Sequence, residues 1–545
     1  MNRKNLIYPP GSDKNSLQNI VGVISLILLT TAYLTHLDFI PLNVENDEAR
    51  RALVAAEMII SGDYLTPTLN GELYLNKPPL YNWIIAVYFK LSGGYSMFAL
   101  RLQVIVATLL MGWLVYVYTA KHLDKTVAFF TAFAFMTNGR TLIYDSFLGL
   151  IDTTFALFVY LSFMLVYIYG NKKKYFHLFL ITYLLTALGF LMKGMPALVF
   201  QAITLLTWAV WKRKFKLLFH VSHFAGIGVL GLILGTYYFF YFSRNDIAPV
   251  TVFSNLLTES TKRTGVYLGL RETILNLITF PFEILYHFAP WTLFVIALFQ
   301  RKVWKKIKEN DFIHYSFLIF FFNILVYWLS PQVYARYLFM FLPLMYSILF
   351  FLFFRWLDES SWQHKTINGV FLFSVLLLAL TFTVLPFLDV VKDRTLIFQK
   401  CFLLVLVFGL LAWFMIRFKS IRLYGFIIAV IVFRIGFNWY ILEPRAEKFV
   451  KAEATAATIA GLSAHAPLYI LGNSQVGNFD GMSFHIATRR NEILRINKEI
   501  IPGAFYITDS AQISGVGYEH LLSFTNYLSD PLMLVKIPEN KTIAE

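Results

Sequence analysis

The chain has 545 residues, 58% of them hydrophobic and only 14% charged. Water-soluble domains carry about a quarter charged residues, so this much apolar side chain cannot be enclosed in an aqueous fold and needs lipid as its solvent. The net charge of +15 is what basic cytoplasmic loops of a membrane protein accumulate, so no nucleic-acid partner is needed to explain it. The single cysteine, Cys401, excludes an intrachain disulfide framework and a cysteine-built metal site.

In chain order, Arg3, Lys4 and Lys14 precede an apolar segment with no small-residue cleavage site behind it, which reads as a retained anchor. Spans are expected near 18–38, 98–120, 127–143, 148–170, 176–191, 196–211, 217–243, 283–300, 312–330, 337–355, 367–388, 398–417 and 422–441, about thirteen in all. The loops Lys121–Lys125, Asn171–Lys174, Lys212–Lys216, Arg301–Lys308, Arg355–Lys365 and Arg417–Arg422 are rich in Lys and Arg, and the loops alternating with them are less so. That alternation puts the N-terminus in the cytoplasm, and an odd number of spans puts the C-terminal tail outside.

Two outer loops are long, 39–97 and 244–282, and long loops in a compact architecture are usually functional or disordered. The first opens with Glu45, Asn46, Asp47 and Glu48. Asn46 or Asp47 is placed to cap a helix from Ala49 to Ile60 that Gly62 would end. A second piece from Tyr81 to Leu91 follows Pro78-Pro79, and its Trp83, Ile84 and Tyr88 suit a helix lying in the membrane interface. From Glu443 the composition changes. Residues 445–463 are predicted helical, and 467–471, 505–508 and 532–537 are predicted strands. The expected domains are therefore 1–442, embedded in the membrane, and 443–545, a small extracytoplasmic α/β unit without a nucleotide-binding motif.

Chemistry gathers in the first outer loop. Acids at a helix start complement the macrodipole, which explains Asp47 and Glu48 but not Lys77, set before Pro78-Pro79. The run DEARRALVAAEMIISGDYLTPTLNGELYLNKPPLYNW, residues 47–83, resembles the first periplasmic loop of the aminoarabinose and protein-mannosyl transferase group, GT-C fold glycosyltransferases that use polyprenyl-phosphate sugars. Weaker echoes follow at 149–153 (GLIDT), 191–194 (LMKG), 259–263 (ESTKR), Pro290-Trp291, Arg336-Tyr337 and Pro343.

The resemblance implies an all-α polytopic GT-C-like membrane fold with a catalytic Asp47, a Lys77 on the donor phosphate and Asp152 as a second active-site acid. It places Arg50, Tyr74, Lys193, Arg263, Arg336 and Tyr337 around the donor phosphate or sugar, with Glu48 and Glu57 in support. Glu57 is expected to react or to pair with Arg51 or Lys77, and Asp145 to cap a helix. The chemistry suits these residue types. A carboxylate polarises or deprotonates the attacking hydroxyl, and cations stabilise the charge gained by the leaving phosphate. Arg263 and Arg336 come from separate outer loops, and arginine suits bidentate phosphate contact. Some relatives carry an acid just before the loop lysine and a histidine in the later long loop, positions that can hold a metal. This chain has Asn76 and Ser260 there, so no metal is expected to be required, although a divalent cation is the family's possible cofactor.

The expected partners are a polyprenyl-phosphate-linked sugar donor, a lipid, glycan or protein acceptor, and membrane lipids. The expected location is the inner membrane. The competing class is a transporter or lipid flippase, which would place ionisable residues near the bilayer midplane in repeated halves. The charges here crowd the outer loops instead.

Overall fold

The computed structural model describes residues 14–39, 42, 46–264, 268–389, 391, 394–472, 479–526 and 530–539. Arg3, Lys4 and Glu45 lie outside them. Among the described residues nine helices are long and apolar enough to cross a membrane, and four shorter apolar helices accompany them. This is a mostly helical, multi-pass membrane protein with a small C-terminal sheet.

Local capping explains where several helices begin. Asp124 accepts from the backbone N–H of Thr126 and Val127 at the head of Lys125–Thr137, and Asn310 does the same for Phe312 and Ile313 at the head of Asp311–Trp328. Glycine ends the helix Tyr175–Lys193: Gly194 takes φ +82°, which leaves Lys193 in the last turn. Trp362–Phe387 and Ile397–Arg417 turn broad apolar surface outward, whereas Ile151–Asn171 and Ala335–Trp356 are mostly buried among their neighbours. The enclosed pair carries Asp152, Arg336 and Tyr337, because a charge inside the membrane is tolerated where it faces protein. Arg434 follows the same rule, donating to the Ser146 hydroxyl at 2.7 Å and stacking on Phe147 at 3.5 Å.

One expectation fails in this region. The element expected at 283–300 is not one span. The helix Leu270–His287 stops ahead of Pro290 and a 3-10 segment, Trp291–Leu298, follows, since proline disfavours helical geometry in the residue before it. The second long loop is also largely helical, through Pro249–Thr261 and the first half of Leu270–His287.

The first loop is a folded unit. It comprises the helix Asn46–Ser61, a two-stranded hairpin pairing Thr68–Leu69 with Glu72–Leu73, and the helix Leu80–Leu91. The hairpin turns on Asn70-Gly71, both at positive φ (52° and 77°), the pairing a two-residue hairpin requires. The expected Trp83, Ile84 and Tyr88 are only half-buried. The buried side of Leu80–Leu91 is Tyr81, Ile85 and Phe89, packed against the Asn46–Ser61 and Met97–His122 helices, because the helix docks on protein.

Helix Glu443–Leu462 leads into a five-stranded mixed sheet ordered Arg495–Asn497, Leu468–Leu471, Phe505–Thr508, Pro531–Lys536, Glu519–Thr525. The first three strands run parallel and the last two pair antiparallel. Two of these strands and the helix Asp480–Arg490 escaped the sequence reading, which found three strands. Ile459, Ile470, Met482, Ile486, Ile507 and Leu534 form a core separate from that of the spans. The helix Asp480–Arg490 lies on Asn46–Ser61, where Phe484 packs against Phe89 and Tyr95, and the Ile496 N–H donates to the Asn70 carbonyl at 3.2 Å.

Candidate active site

One end of the helix bundle and the first loop enclose a polar cavity of about 180 Å³. Its lining joins six stretches of chain: Asp47, Arg50 and Arg51; Tyr74, Asn76 and Lys77; Asp152; Lys193; Glu259, Lys262 and Arg263; and Tyr337. Arg336 reaches the same group through its ion pairs. Nine of the eleven residues singled out from the sequence thus meet in one place, although 290 positions separate Asp47 from Tyr337.

The two aspartates occupy different environments. Asp152, with a side chain 5% exposed, opens the Ile151–Asn171 helix. One oxygen accepts from Lys193, and the other lies 3.2 Å from Arg336 Nε. Both oxygens are committed. Asp47 has a side chain 43% exposed, with Arg336 3.2 Å from one oxygen and Arg50 at 3.9 Å from the other. Among the described residues the ion-pair contact of its Oδ1 is therefore only the longer one, to Arg50.

The cations are held by aromatic rings. Lys193 sits 4.0 Å over the Tyr337 ring, Arg263 lies 4.6 Å over Tyr334 and donates to the Tyr337 hydroxyl, and Arg51 stacks at 5.2 Å on Tyr74. Lys77 lines the cavity without a hydrogen bond or ion pair among the described residues. Burial, with Arg51 and Lys193 nearby, lowers its ammonium to about 8. A desolvated cation held among other cations is suited to an anion arriving from outside.

Glu48 and Glu57 do not line this cavity. Glu48 follows Asp47 by one position and, a third of a turn around the helix, points into the protein. There it accepts from Arg101 at 2.8 and 3.1 Å and from the Gly149 N–H at 2.6 Å. Glu57 does not meet the expected Arg51 or Lys77. It accepts from the Thr68 hydroxyl at 2.6 Å and from the N–H groups of Asn70 and Gly71, which holds the hairpin turn against the helix, and burial raises it to about 7. Asp145 is not a cap but an ion-pair partner of Arg140 at 2.6 Å.

Sequence reasoning passed over Arg51, Glu259 and Lys262 as site residues, although all three stood inside the motifs, and missed Asp480 entirely. Nothing local marks Asp480, which reaches Arg50 across 430 positions of chain. Among the described residues no group of three or more His, Cys, Asp or Glu gathers. Asn76 is engaged by Asn255 at 3.3 Å, and the Ser260 hydroxyl donates to the Leu256 carbonyl at 2.8 Å.

Comparison with known proteins extends these observations. Residues 76–238 match the family model described as dolichyl-phosphate-mannose-protein mannosyltransferase. An undecaprenyl phosphate-alpha-4-amino-4-deoxy-L-arabinose arabinosyl transferase of Proteus mirabilis is 32% identical over 207 residues, 36% of each chain. A protein of the same description from Pseudomonas savastanoi is 28% identical over 196 residues, 35% of this chain and 36% of the relative. These matches span about a third of the relatives' length. In architecture the likeness runs the length of the chain: the crystal structure of ArnT from Cupriavidus metallidurans bound to undecaprenyl phosphate aligns over 98% of this chain and 100% of that one, with TM-score 0.64 and 16% identity. Sequence likeness and architecture agree that this multi-pass membrane protein has the GT-C glycosyltransferase fold.

Proposed function

We propose that the protein transfers a sugar from a polyprenyl phosphate, of the undecaprenyl type, to an acceptor at the outer face of the inner membrane, with the C-terminal sheet domain on the periplasmic side. The observation that carries this reading is the meeting of an accessible carboxylate, Asp47, with Lys77, unpaired among the described residues, and Arg263 in one cavity. The cavity lies where Asp152, Lys193 and Tyr337 mark span ends, the depth of a lipid headgroup. Sugars outside the cytoplasm are not available as nucleotides, so the donor must arrive on a lipid. The basic loops, all at the other ends of the spans, support the same orientation.

In this reading the acceptor hydroxyl oxygen bonds to the anomeric carbon as the bond from that carbon to the phosphate oxygen breaks. Asp47 takes the hydroxyl proton. The phosphate leaves with both bonding electrons, and Lys77 and Arg263 stabilise the charge it gains. Asp152 fixes Lys193 and Arg336 at the cavity wall, and both its oxygens are already engaged. The acceptor is a hydroxyl or phosphate of a membrane glycolipid, with a glycan or secreted protein as the further candidates. Asn76 and Ser260 offer amide and hydroxyl oxygens, already hydrogen-bonded, where a metal would need carboxylate or imidazole ligands. Transfer is therefore expected to survive chelation.

The test is transfer from radiolabelled polyprenyl-phosphate sugars in vesicles by wild type, Asp47→Asn and Lys77→Ala. Loss in both variants supports the site. Undiminished transfer in both removes it, and movement of substrate without covalent transfer favours a transporter.

A further inference from the structure

The Arg50 guanidinium stands between two carboxylates. Its Nε donates to Asp480 Oδ2 at 3.2 Å, while its Nη1 is 3.9 Å from Asp47 Oδ1. Asp47 and Arg50 are three positions apart on one helix, a spacing that by itself favours direct pairing. The longer of the two separations is nevertheless the one within the helix. What draws Arg50 away is a carboxylate from the C-terminal domain, in the first turn of Asp480–Arg490, where the helix dipole favours negative charge.

Asp480 does not wander. Its residue is 9% exposed, its helix is buried along Met482, Phe484 and Ile486, and that helix is pinned to the first loop by Phe484 between Phe89 and Tyr95. A second clamp lies at the hairpin turn, where the Ile496 N–H donates to the Asn70 carbonyl and the Arg495 stem covers Gly71 so closely that a Cβ there would sit 2.9 Å from Arg495 Cγ. The anchor for Arg50 is therefore fixed relative to Asp47 by contacts independent of the ion pair.

We propose that Asp480 is a positioning residue of the transfer site: by holding Arg50 it keeps that guanidinium from closing onto Asp47 Oδ1, the oxygen that Arg336 does not hold, and leaves it open to the acceptor. The inference rests on the transferase reading above and extends it, since it makes the C-terminal domain part of the active centre. Without Asp480, Arg50 swings to Asp47 and covers Oδ1, the oxygen the acceptor needs.

The experiment is steady-state transfer in vesicles with full-length wild type, Asp480→Asn, Asp480→Glu, Arg50→Gln and the Asp480→Asn/Arg50→Gln double variant, each with its melting temperature in detergent. Asp480→Asn is expected to lower kcat on the order of tenfold with the donor KM within about twofold, the signature of misplaced machinery. Asp480→Glu should recover much of the loss. The double variant should be no slower than Arg50→Gln alone, because a residue acting through Arg50 has nothing left to act on. A kcat for Asp480→Asn equal to wild type overturns the proposal, as does an additive loss in the double variant accompanied by a fall in melting temperature, which would make the contact mere docking. If Asp480→Asn is not recovered folded, the same criteria apply to Asp480→Glu, alone and with Arg50→Gln. Absence of transfer by wild type is a different result: it overturns the transferase reading and the proposal with it, whereas active wild type with indifferent Asp480 variants overturns the proposal alone.

Discussion

The two sides of the helix Asn46–Ser61 carry the same residue types and do different work. On one side Asp47, Arg50 and Arg51 face a polar cavity, where Asp47 keeps close to half of its side chain exposed. On the other, Glu48 and Glu57 are sealed in the protein and, among the described residues, accept from structural donors: Arg101 and the Gly149 N–H for one, the hairpin turn for the other. Charge next to water remains available to a ligand, whereas charge removed from water must be fully paired to persist and so becomes architecture. A charged motif read along the chain mixes these two populations.

The contrast can be broken from either side. On the cavity side, Asp47→Asn should reduce transfer by roughly 10²–10⁴-fold, the usual worth of a proton acceptor, without shifting the melting temperature. An equal loss of stability would erase the distinction. On the buried side, Glu48→Ala strands Arg101 in the interior and should cost about 3–5 kcal/mol of stability, read as a large fall in melting temperature. Transfer per folded molecule should change far less than in Asp47→Asn. Glu57→Gln should cost less, about 1–3 kcal/mol, because one acceptor of the hairpin turn survives; hydrogen exchange at Asn70 and Gly71 would report the loosened turn.

The smallest expected effect is one of pH. With its ammonium lowered to about 8, Lys77 is protonated and able to grip a phosphate below that value, and the grip is lost as pH rises through it. Between pH 7 and 9 the protonated fraction falls from about 90% to about 10%, so kcat/KM for the donor should drop on the order of tenfold in wild type. The donor terms of a Lys77→Arg variant should stay flat over that range, since arginine keeps its proton. A wild-type profile flat to pH 9 would show that Lys77 does not meet the donor as a titrating group.

Most of the membrane body was readable one residue at a time. Runs of apolar residues set twelve of the thirteen expected helical elements, because hydrophobic length is a local property and the bilayer imposes the rest. Of the twelve, 127–143 is interrupted at Asn138, and the thirteenth, 283–300, broke at Pro290, where backbone sterics outweighed hydropathy. The charged loop was also visible, through the spacing of Asp47, Lys77 and the residues that echo a known pattern. The orientation of each side chain was not, since Asp47 and Glu48 differ only by the turn of a helix whose phase is set by what packs against it. The C-terminal sheet showed three of its five strands, because short and partly exposed strands such as Glu519–Thr525 lack the apolar runs that mark the others.

Sequence by itself determined the solvent of this protein, the apolar segments suited to that solvent and the long loop where its charge gathers, all properties carried by neighbours in the chain. Tertiary structure alone decided which acid meets the cavity and which the interior, that Asp152 is spent on Lys193 and Arg336, and that a carboxylate 430 positions away holds Arg50. Those outcomes depend on distance and burial. Residues far apart in sequence acquire a common fate only when packing brings them within a few ångströms and excludes the water that would otherwise screen one from another.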